Sequence, residues 1–397
     1  METISLKTVR KFVLDAQGLL RNEYFGSGKN GALKCIEHLG YVQIDTISVV
    51  QRAHHHVLWS RVRNYKPVLL DILQREKRVF EYWSHAAAYL PMADFRYYLP
   101  MMHALRNGEI HWWFRKEKKP TEFVLDRIKA EGALSARDFD DPEKKRGDWW
   151  QWKPAKKALE QLFMEGYLMI EKRVNFQKVY DLTERVLPAH IDTTMPSKLE
   201  MAKFLILAAL RAHGLMAEPE IAYLRGNPRP HVRTGLAELL EAGKIAIVGI
   251  KELPGTKYYA LSEALPGLAR LRQRNKITIL SPFDNAIIQR KRTQKLFGFD
   301  YQLECYLPKP KRKFGYFCLP ILRGDTFIGR VDAKADRPNH LLIVRNLVFE
   351  QDTKILENTL PELAKALRAF AAFNECEKIR LEKGQPKKLM EGLLRSL

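Results

Sequence analysis

The sequence has few cysteines and no long apolar run. Its four cysteines are scattered and form no CxxC pair, so we expect neither a disulfide scaffold nor a cysteine-built zinc site. No stretch approaches about 18 consecutive apolar residues, which excludes a transmembrane helix. The first residues carry charges throughout and lack an apolar h-region, so no signal peptide is expected. Together these absences favour a cytoplasmic protein.

Several motifs of well-known chemistries are also missing. The chain shows no Walker loop, GxGxxG, HExxH, GxSxG or EF-hand pattern, and no cysteine set for an iron–sulfur cluster. No helix-hairpin-helix with a catalytic lysine can be identified. Nucleotide-driven, metal and lyase chemistries therefore become less favoured, and we expect no cofactor and no metal.

Acidic residues are too few to balance the basic ones. Lys and Arg number 67 against 46 Asp and Glu, which gives 397 residues a formal net charge of +21. Such an excess indicates a polyanionic partner, nucleic acid first and an anionic membrane surface second, or else a basic protein without such a partner. Because the excess is spread along the chain among aromatic residues, with no isolated basic amphipathic helix at a terminus, nucleic acid is favoured over membrane.

What is present begins with a repeat in the middle of the chain. Each copy has an amphipathic helix that ends at a glycine, followed by two short strands, and an earlier helix precedes each copy. The copies cover residues 160–184 and 237–263. This is the element order of a winged helix-turn-helix, whose third helix usually meets DNA. Winged helices also serve as protein–protein modules or scaffolds.

The predicted fold class is α+β, with tandem winged helices and a C-terminal antiparallel β-domain. Residues 1–117 are expected to form a helical or winged-helix domain, residues 118–195 and 196–272 a second and a third winged helix, and residues 273–397 the β-domain with closing helices. Short β-like runs such as Ile277 to Leu280 and Leu303 to Leu307, punctuated by proline, glycine and aspartate, support the last assignment.

A short strand near the N-terminus carries two polar residues on one face. In the alternating segment Tyr41 to Ile47, Gln43 and Asp45 point to one face, and Val42, Ile44 and Thr46 point to the other. A carboxylate can take a proton from water or stabilise a developing cation, and an amide can orient water or substrate. Any half-buried strand can show the same pattern, so the spacing by itself is a weak indication.

A histidine-rich run follows the strand. Consecutive histidines cannot all face one metal from a regular element, so the run His54–His55–His56, with Trp59, Arg61 and Arg63, is interpreted as a loop that contacts DNA; a partly buried polar turn is the alternative. The aromatic runs Tyr82–His85 and His111–Lys116 suit unstacked bases or a hydrophobic core. With the basic helix starts and turns, the expected DNA contacts are His54, His55, His56, Trp59, Arg61, Arg63, Arg115, Lys153, Lys156, Arg229, Arg233, Arg290, Lys291, Arg292, Lys311, Arg312 and Lys313.

These motifs, taken in order, resemble the AlkZ/YcaQ family of winged-helix DNA glycosylases. The resemblance covers nearly the whole chain. It rests on Gln43–Asp45, His54–Arg63, Tyr82–His85, His111–Arg115, Leu280–Asn285, Leu296–Tyr301 and Gly329–Arg337. It is closest to the YcaQ branch, because the family motif Gln-x-Gln or Gln-x-Asp is present here in its second form.

The resemblance implies a C-shaped tandem of winged helices and a specific activity. It implies excision of N7-alkylguanine and unhooking of nitrogen-mustard interstrand crosslinks, with Asp45 as base and cation stabiliser and Gln43 positioning water or deoxyribose. A monofunctional, monomeric base-excision-repair enzyme on double-stranded damaged DNA, nucleoid-associated when bound, is then expected. A transcriptional regulator without catalysis is the main alternative, and a structure-specific nuclease is a third possibility.

Overall fold

A computed structural model describes residues 2–21, 23–111, 117–139, 152–223, 229–272, 276–350 and 358–397. The described α-helices are α1 (Leu6–Ala16), α2 (Gly28–Leu39), α3 (Ala53–Trp59), α4 (Val68–Arg75), α5 (Leu99–Arg106), α6 (Lys118–Glu131), α7 (Trp152–Met164), α8 (Thr183–Val186), α9 (Lys198–His213), α10 (Glu218–Ile221), α11 (Arg229–Glu241), α12 (Arg290–Phe297), α13 (Leu360–Phe373) and α14 (Lys387–Ser396). Short 3-10 helices occupy Met92–Tyr98, Ala136–Phe139, Ser262–Arg270, Glu304–Tyr306, Lys309–Lys311 and Arg337–Asn339.

The described strands are β1 (Glu2–Ile4), β2 (Val42–Gln43), β3 (Val79–Trp83), β4 (Ala87–Pro91), β5 (Leu134–Ser135), β6 (Leu168–Val174), β7 (Gln177–Leu182), β8 (Leu215–Ala217), β9 (Ile245–Ile250), β10 (Tyr258–Leu261), β11 (Ile277–Ile279), β12 (Cys318–Arg323), β13 (Thr326–Asp336), β14 (Leu341–Phe349), β15 (Lys378–Leu381) and β16 (Gly384–Gln385). They form four separate sheets. Helices thus occur together with sheets whose strands are mostly antiparallel, which is the α+β class.

Three segments share one order of elements, and we call them the first, second and third modules. They span residues 28–91, 118–182 and 198–261, and each runs helix, short strand, helical turn or helix, helix, hairpin. In each module the short strand pairs with the last strand of the hairpin, giving the antiparallel orders β2-β4-β3, β5-β7-β6 and β8-β10-β9. This is the order predicted for the winged helices.

The glycine of the repeat ends the third helix of two modules. Gly166 and Gly243 adopt positive φ angles of 75° and 65° directly after α7 and α11. Only glycine takes this left-handed conformation without steric cost, so it terminates the helix and turns the chain into the hairpin. The predicted helix–glycine–hairpin pattern is therefore built as the sequence indicates.

The N-terminal segment packs on the third module and also contacts the first. Strand β1 pairs in parallel with β9, with Thr3 opposite Gly249. In the same region the Gln17 side chain donates from Nε2 to the carbonyl of Ala212 at 2.6 Å. Residues 2–20 also meet the first module, where the Ala16 carbonyl lies 2.7 Å from His38 Nε2 and the Gln17 carbonyl accepts from Arg61 Nε at 2.7 Å. The domain boundaries stay a prediction.

The C-terminal domain is a sheet in the order β11-β12-β13-β14-β15, with β16 also beside β14. The first four strands are antiparallel as predicted, whereas β15 and β16 pair in parallel with β14. A parallel connection needs a crossover, and α13 supplies it. The segment Leu303 to Leu307, predicted as a strand, instead contains the 3-10 turn Glu304–Tyr306.

Candidate active site

The predicted strand 41–47 is much shorter in the structure, and the polar pair lies where it ends. Strand β2 contains only Val42 and Gln43, and the Ile44 amide makes one more ladder bond, to the Ala87 carbonyl at 2.8 Å. Its partner β4 begins at Ala87, so no strand remains to pair with the chain beyond Ile44. Asp45 therefore lies just past the sheet, at the start of a segment that crosses to the C-terminal domain.

That crossing segment is fixed by main-chain contacts on its far side. The Val49 carbonyl accepts from the Ala335 amide at 2.7 Å, and the Gln51 amide donates to Asn374 Oδ1 at 2.6 Å. Strand β2 of the first module and the C-terminal domain thus hold the two ends of the segment. Asp45 is positioned at the junction of these two parts.

The Gln43 side chain is half-buried and oriented by a neighbouring histidine. Gln43 Oε1 lies 3.1 Å from Nε2 of His85, a residue in the turn between β3 and β4. The His85 ring in turn packs edge-on against Tyr41 at a centroid distance of 4.8 Å. Because this contact occupies Oε1, the amide nitrogen of Gln43 is left to donate to a further group.

Asp45 is a nearly buried carboxylate that no cation neutralises directly. Asp45 is 9% exposed, and its Oδ2 atom accepts a hydrogen bond from the Ile47 amide at 3.2 Å. Burial raises the pKa of Asp45 to about 6, opposed by the Ile47 and Thr46 amides and by the charge of Arg52. Within the described part of the chain, no Lys, Arg or His nitrogen lies within 4.0 Å of this carboxylate.

The C-terminal domain places further groups beside Asp45. The side chains of Cys305 and Tyr306, on the 3-10 turn Glu304–Tyr306, both interact electrostatically with the Asp45 carboxylate. Tyr306 is 75% exposed, so its ring is open to solvent next to a desolvated carboxylate. Arg337 approaches from the same domain and donates to the Ser48 carbonyl at 3.3 Å. The site is therefore a polar junction with a cationic and aromatic rim.

The comparison with known families decides what kind of site this is. The family model described as "DNA glycosylase AlkZ-like" matches residues 36–373, which include Gln43, Asp45 and Tyr306. The chain belongs to the AlkZ-like DNA glycosylase family. It is an enzyme of that class, and DNA is its partner. The resemblance noted from the motifs is thereby confirmed.

A solved structure supports the same fold. The Streptomyces sahachiroi DNA glycosylase AlkZ superposes with a TM-score of 0.62 at 16% sequence identity, over 96% of this chain and 100% of that chain. The predicted α+β architecture with a C-terminal antiparallel sheet domain is thus confirmed. Among the described residues of this AlkZ-like chain, no helix is long and apolar enough to span a bilayer.

The histidine run belongs to a helix of the AlkZ-like core and is not a DNA-contacting loop. In α3, the His56 Nε2 atom is 2.8 Å from the Ile279 carbonyl, and His55 Nδ1 is 2.8 Å from the Tyr65 hydroxyl. His54 and His56 are each 1% exposed. Burial lowers the pKa of His55 and His56 to about 4 and that of His54 well below its usual value, so all three are neutral at pH 7.

Trp59, from the same run, serves as packing between domains. Its indole stacks on the Phe373 ring with a centroid distance of 4.6 Å and an interplanar angle of 12°. Phe373 ends α13, so the contact joins the first module to the C-terminal domain. The prediction was a DNA contact in a loop, whereas Trp59 lies on a helix and its ring packs against Phe373.

Two arginines expected at the DNA are buried ion-pair partners. Arg61 donates from Nη1 and Nη2 to the two Asp284 oxygens at 2.7 Å each, and both side chains are 0% exposed. Arg292 pairs with Glu220 at 3.2 Å and donates to the Leu215 carbonyl at 2.7 Å. Because each guanidinium group is buried in an ion pair between a module and the C-terminal part of the chain, the prediction that Arg61 and Arg292 bind DNA is wrong.

Other predicted contacts are partly engaged by the protein. Arg290 is half-buried, donates to the Ile287 carbonyl at 2.8 Å and lies over the Tyr301 ring. Arg312 donates to the Leu307 carbonyl at 2.8 Å. Arg63 and Arg233 are exposed but pair with Glu23 and Glu218, at 2.7 Å each. These four are weaker candidates for phosphate contacts than their charge suggests.

The remaining predicted contacts are exposed or lie outside the description. Lys156, Lys291, Lys311 and Lys313 have exposed side chains. Arg115 lies outside the described residues, and the side chains of Lys153 and Arg229 are not described. In the first aromatic run, Tyr82 is 2% exposed and donates to the Met164 carbonyl at 2.7 Å. It therefore belongs to the hydrophobic core, which was the alternative to a contact with unstacked bases.

The sequence did not indicate that Arg52, Tyr306 and Arg337 lie near Asp45. It also did not indicate two contacts, that of His85 with Gln43 and that of Phe176 with Arg52. Two of these residues could have been suspected from their neighbours in sequence. Tyr306 lies shortly before the basic turn Lys309–Lys313, and Arg52 lies shortly before the histidine run. No local pattern indicated that residues so far apart in sequence meet at Asp45.

Proposed function

We propose that this AlkZ-like enzyme is a monofunctional glycosylase for cationic N7-alkylguanine lesions that also unhooks nitrogen-mustard interstrand crosslinks. Asp45 acts as base and stabiliser of the sugar cation, and Gln43 positions water or the deoxyribose. The observation that carries the proposal is the desolvated Asp45 carboxylate, which no cation of the described residues contacts and which lies two residues from an oriented amide. We also propose that the enzyme acts as a monomer on double-stranded damaged DNA in the cytoplasm, nucleoid-associated when bound.

The chemistry follows from the charge of the lesion. Alkylation at N7 makes the base cationic, so N9 can leave with the electron pair of the C1′–N9 bond without a general acid. The sugar becomes an oxocarbenium ion, which a nearby carboxylate stabilises, as in glycoside hydrolysis. Water then adds its oxygen to C1′ and transfers a proton to Asp45, which leaves an abasic site and a free base.

The position of Asp45 suits this role on two counts. A carboxylate with a pKa of about 6 is ionised at pH 7.5, yet is more basic than an ordinary aspartate. Desolvation also strengthens its attraction for a cation, because the surrounding dielectric is low. An ion pair in direct contact would cancel both advantages, and none is present among the described residues.

Gln43 complements the carboxylate. Its Oε1 atom faces His85, and within the described residues its amide nitrogen has no hydrogen-bond partner. This nitrogen can therefore donate to the attacking water or to a sugar oxygen. A neutral donor is suitable here, because a positive charge at the same place would repel the developing oxocarbenium ion.

The surroundings suit a bulky or tethered substrate. A crosslinked base cannot swing fully into a closed pocket, because it remains attached to the opposite strand. Tyr306, whose side chain interacts with Asp45, is exposed, and the exposed Lys309, Lys311 and Lys313 follow it within a few positions of the chain. Such a surface can hold DNA through its backbone, with an affinity that falls steeply with salt.

The test is excision of a single N7-methylguanine from a duplex oligonucleotide, followed by alkali to break the strand at abasic sites. We expect Asp45→Asn to lower the single-turnover rate by about 10²–10⁴-fold, the usual range for losing a catalytic proton acceptor. Gln43→Ala should lower it less. A matched control is Asp94→Asn, because burial raises the pKa of Asp94 to about 6 as well, but Asp94 faces Glu37 and Arg211.

The outcomes separate the alternative functions. Alkali-dependent breakage that persists in EDTA and disappears with Asp45→Asn supports the proposal. Breakage without alkali that EDTA abolishes indicates a nuclease, and DNA binding without breakage indicates a regulator. Running monoadduct and nitrogen-mustard crosslink substrates side by side decides the crosslink activity, since an unhooked strand migrates as a single strand on a denaturing gel.

A further inference from the structure

Arg52 occupies a distinctive place next to the site. It is the N-cap residue of α3, seven positions after Asp45 in the crossing segment, and its side chain is half-buried. The guanidinium carbon lies 3.8 Å from the centroid of the Phe176 ring. Its Nε atom is buried and, among the described residues, has no hydrogen-bond partner. The group is thus held by a ring face and not by a carboxylate.

The ring that holds Arg52 comes from another module. Phe176 is at the tip of the β6–β7 hairpin of the second module and has a positive φ angle of 66°. Its other contacts are a parallel stack on His54 at 5.8 Å and the guanidinium of Arg173 at 4.4 Å. A bulky residue in this conformation is uncommon, and the docking of its ring against the first module accounts for it.

Arg173 fastens the hairpin to the first module. Its Nε and Nη2 atoms donate to the Glu81 oxygens at 2.8 and 2.6 Å, and Glu81, on β3, is 3% exposed. The hairpin of the second module is therefore clamped against the protein at this tip. The Phe176 face is fixed in place before DNA arrives, and so is the cation that rests on it.

Arg52 and Asp45 interact through space without touching. The Arg52 charge lowers the pKa of Asp45, although the two groups form no ion pair within 4.0 Å. The other groups that face Asp45 are Cys305 and Tyr306, and burial raises the pKa of both, so they are neutral at pH 5–8. Arg173, Arg337 and the Tyr89 hydroxyl face Arg52. Arg52 is thus the charged side chain acting on Asp45 in the described part of the site.

We infer that Arg52 is a positioning residue for glycosidic bond cleavage: fixed on the Phe176 ring of the second module, its guanidinium supplies a non-contacting positive charge that holds Asp45 in its ionised form. The inference rests on the proposed role of Asp45. It links the hairpin of the second module to the carboxylate through Arg52, which contacts Phe176 but not Asp45. A cation in direct contact would occupy the carboxylate oxygens that water needs, whereas one held at a distance leaves them open.

The consequence is a displaced pH profile when the cation is removed. Burial raises the Asp45 pKa, and the Ile47 and Thr46 amides and then the Arg52 charge lower it, so the loss of Arg52 raises the pKa further. Only the ionised carboxylate serves as base, so excision falls below that pKa. The acidic limb of the rate profile should accordingly move to higher pH, while the rate at the alkaline plateau changes little.

The experiment measures single-turnover excision of N7-methylguanine between pH 5 and 9, with enzyme-free depurination subtracted. For Arg52→Gln we expect the acidic midpoint, near pH 6 in the wild type, to rise by about 0.5–1 pH unit. The rate below the midpoint then falls by about 3–10-fold. Arg52→Lys should keep most of the wild-type profile, and Phe176→Leu should shift it in the same direction as Arg52→Gln.

The control is Arg63→Gln, which removes an exposed cation of the same part of the chain that is paired with Glu23. Its midpoint should equal that of the wild type. An unchanged midpoint in Arg52→Gln overturns the inference. If that variant instead binds DNA more weakly with a smaller salt dependence, Arg52 is a phosphate contact.

A second readout does not depend on activity. The carboxyl carbon resonance of Asp45 in the isotope-labelled protein reports its titration directly, with Asp45→Asn used to assign the signal. The inference is supported if the titration midpoint of Asp45 is higher in Arg52→Gln than in the wild type, and it is overturned if the two midpoints are equal. If Arg52→Gln does not fold, Phe176→Leu takes its place in this comparison. Failure of the wild type to excise N7-methylguanine would defeat the proposed function and leave this titration as the test of Arg52.

Discussion

Two of the buried aspartates of this enzyme, Asp284 and Asp45, have opposite surroundings: the first is paired with a cation, and the second is not. Asp284 receives both guanidinium nitrogens of Arg61 at 2.7 Å and also the Ala286 amide at 2.9 Å. Asp45 receives the Ile47 amide, while the cation that acts on it stays beyond 4.0 Å. The paired carboxylate joins parts of the chain 223 positions apart, whereas the unpaired one keeps its charge available for chemistry.

The largest effect on stability is expected at the paired site. Arg61→Met leaves Asp284 as an uncompensated buried charge, so the free energy of unfolding should fall by about 3–5 kcal/mol in urea denaturation. Adding Asp284→Leu to Arg61→Met should recover part of this loss, because no buried charge then remains. The surface variant Glu23→Gln, which removes the exposed partner of Arg63, should cost less than about 1 kcal/mol. Equal losses in Arg61→Met and Glu23→Gln would break the comparison.

At the unpaired site, Asp45, removal of the charge should raise the free energy of unfolding instead of lowering it. The folded-state pKa of Asp45, about 6, exceeds the ordinary value of 3.8, so ionisation of Asp45 opposes folding. Asp45→Asn should therefore raise the free energy of unfolding by about 1–3 kcal/mol at pH 8. The gain should shrink as the pH falls from about 6 and vanish only below about pH 3, where the wild-type carboxyl is protonated in both the folded and the unfolded state. A loss of stability at pH 8 would mean that Asp45 is a structural carboxylate after all.

The wild-type rate itself should sharpen the contrast. Excision is expected to fall about tenfold for each pH unit below the Asp45 pKa, because the ionised fraction falls by that factor. The measurement is single-turnover excision on N7-methylguanine duplex at constant ionic strength. Asp94→Asn should leave the midpoint unchanged, although Asp94 has a similarly raised pKa. A flat profile from pH 5 to 8 would argue against an ionised carboxylate in catalysis.

The smallest effects concern cations that remain in water. Lys311 and Lys313 are exposed in the basic turn that follows Tyr306, so replacing each with glutamine should reduce the slope of log Kd against log salt concentration by about 0.9 if it meets a phosphate. Lys203, which already contacts Glu238, provides the control, because its charge is compensated by the protein. Fluorescence anisotropy on undamaged duplex suffices. An unchanged slope for both lysine variants would remove the basic turn from the DNA interface.

Much of the fold could be predicted, because its signals are local. The helix–glycine–hairpin repeat, the helix at Leu360–Phe373 and the antiparallel C-terminal strands depend on periodicity and turn residues within a few positions. The parallel edge strands β15 and β16 and the pairing of β1 with β9 could not be predicted, because they depend on segments that are distant along the chain.

The site was predictable only where its residues are neighbours in sequence. Gln43 and Asp45 could be singled out from one short run, and the family assignment is confirmed. Whether an arginine meets DNA or an aspartate depends on its three-dimensional partner, and Arg61 is separated from Asp284 by most of the chain. The histidine run was misinterpreted for a related reason: its three rings find separate apolar or hydrogen-bonding surroundings on a buried helix.

The short strand β1 has a consequence beyond the placement of the N-terminus. Strand β9 reads Ile-Ala-Ile-Val-Gly-Ile and carries no charge, and without β1 one of its edges would be bare. An uncharged, apolar edge is a template on which a strand from another molecule can add, and such addition begins aggregation. The three residues of β1 pair along that edge, so it is not open for a strand of another molecule to add.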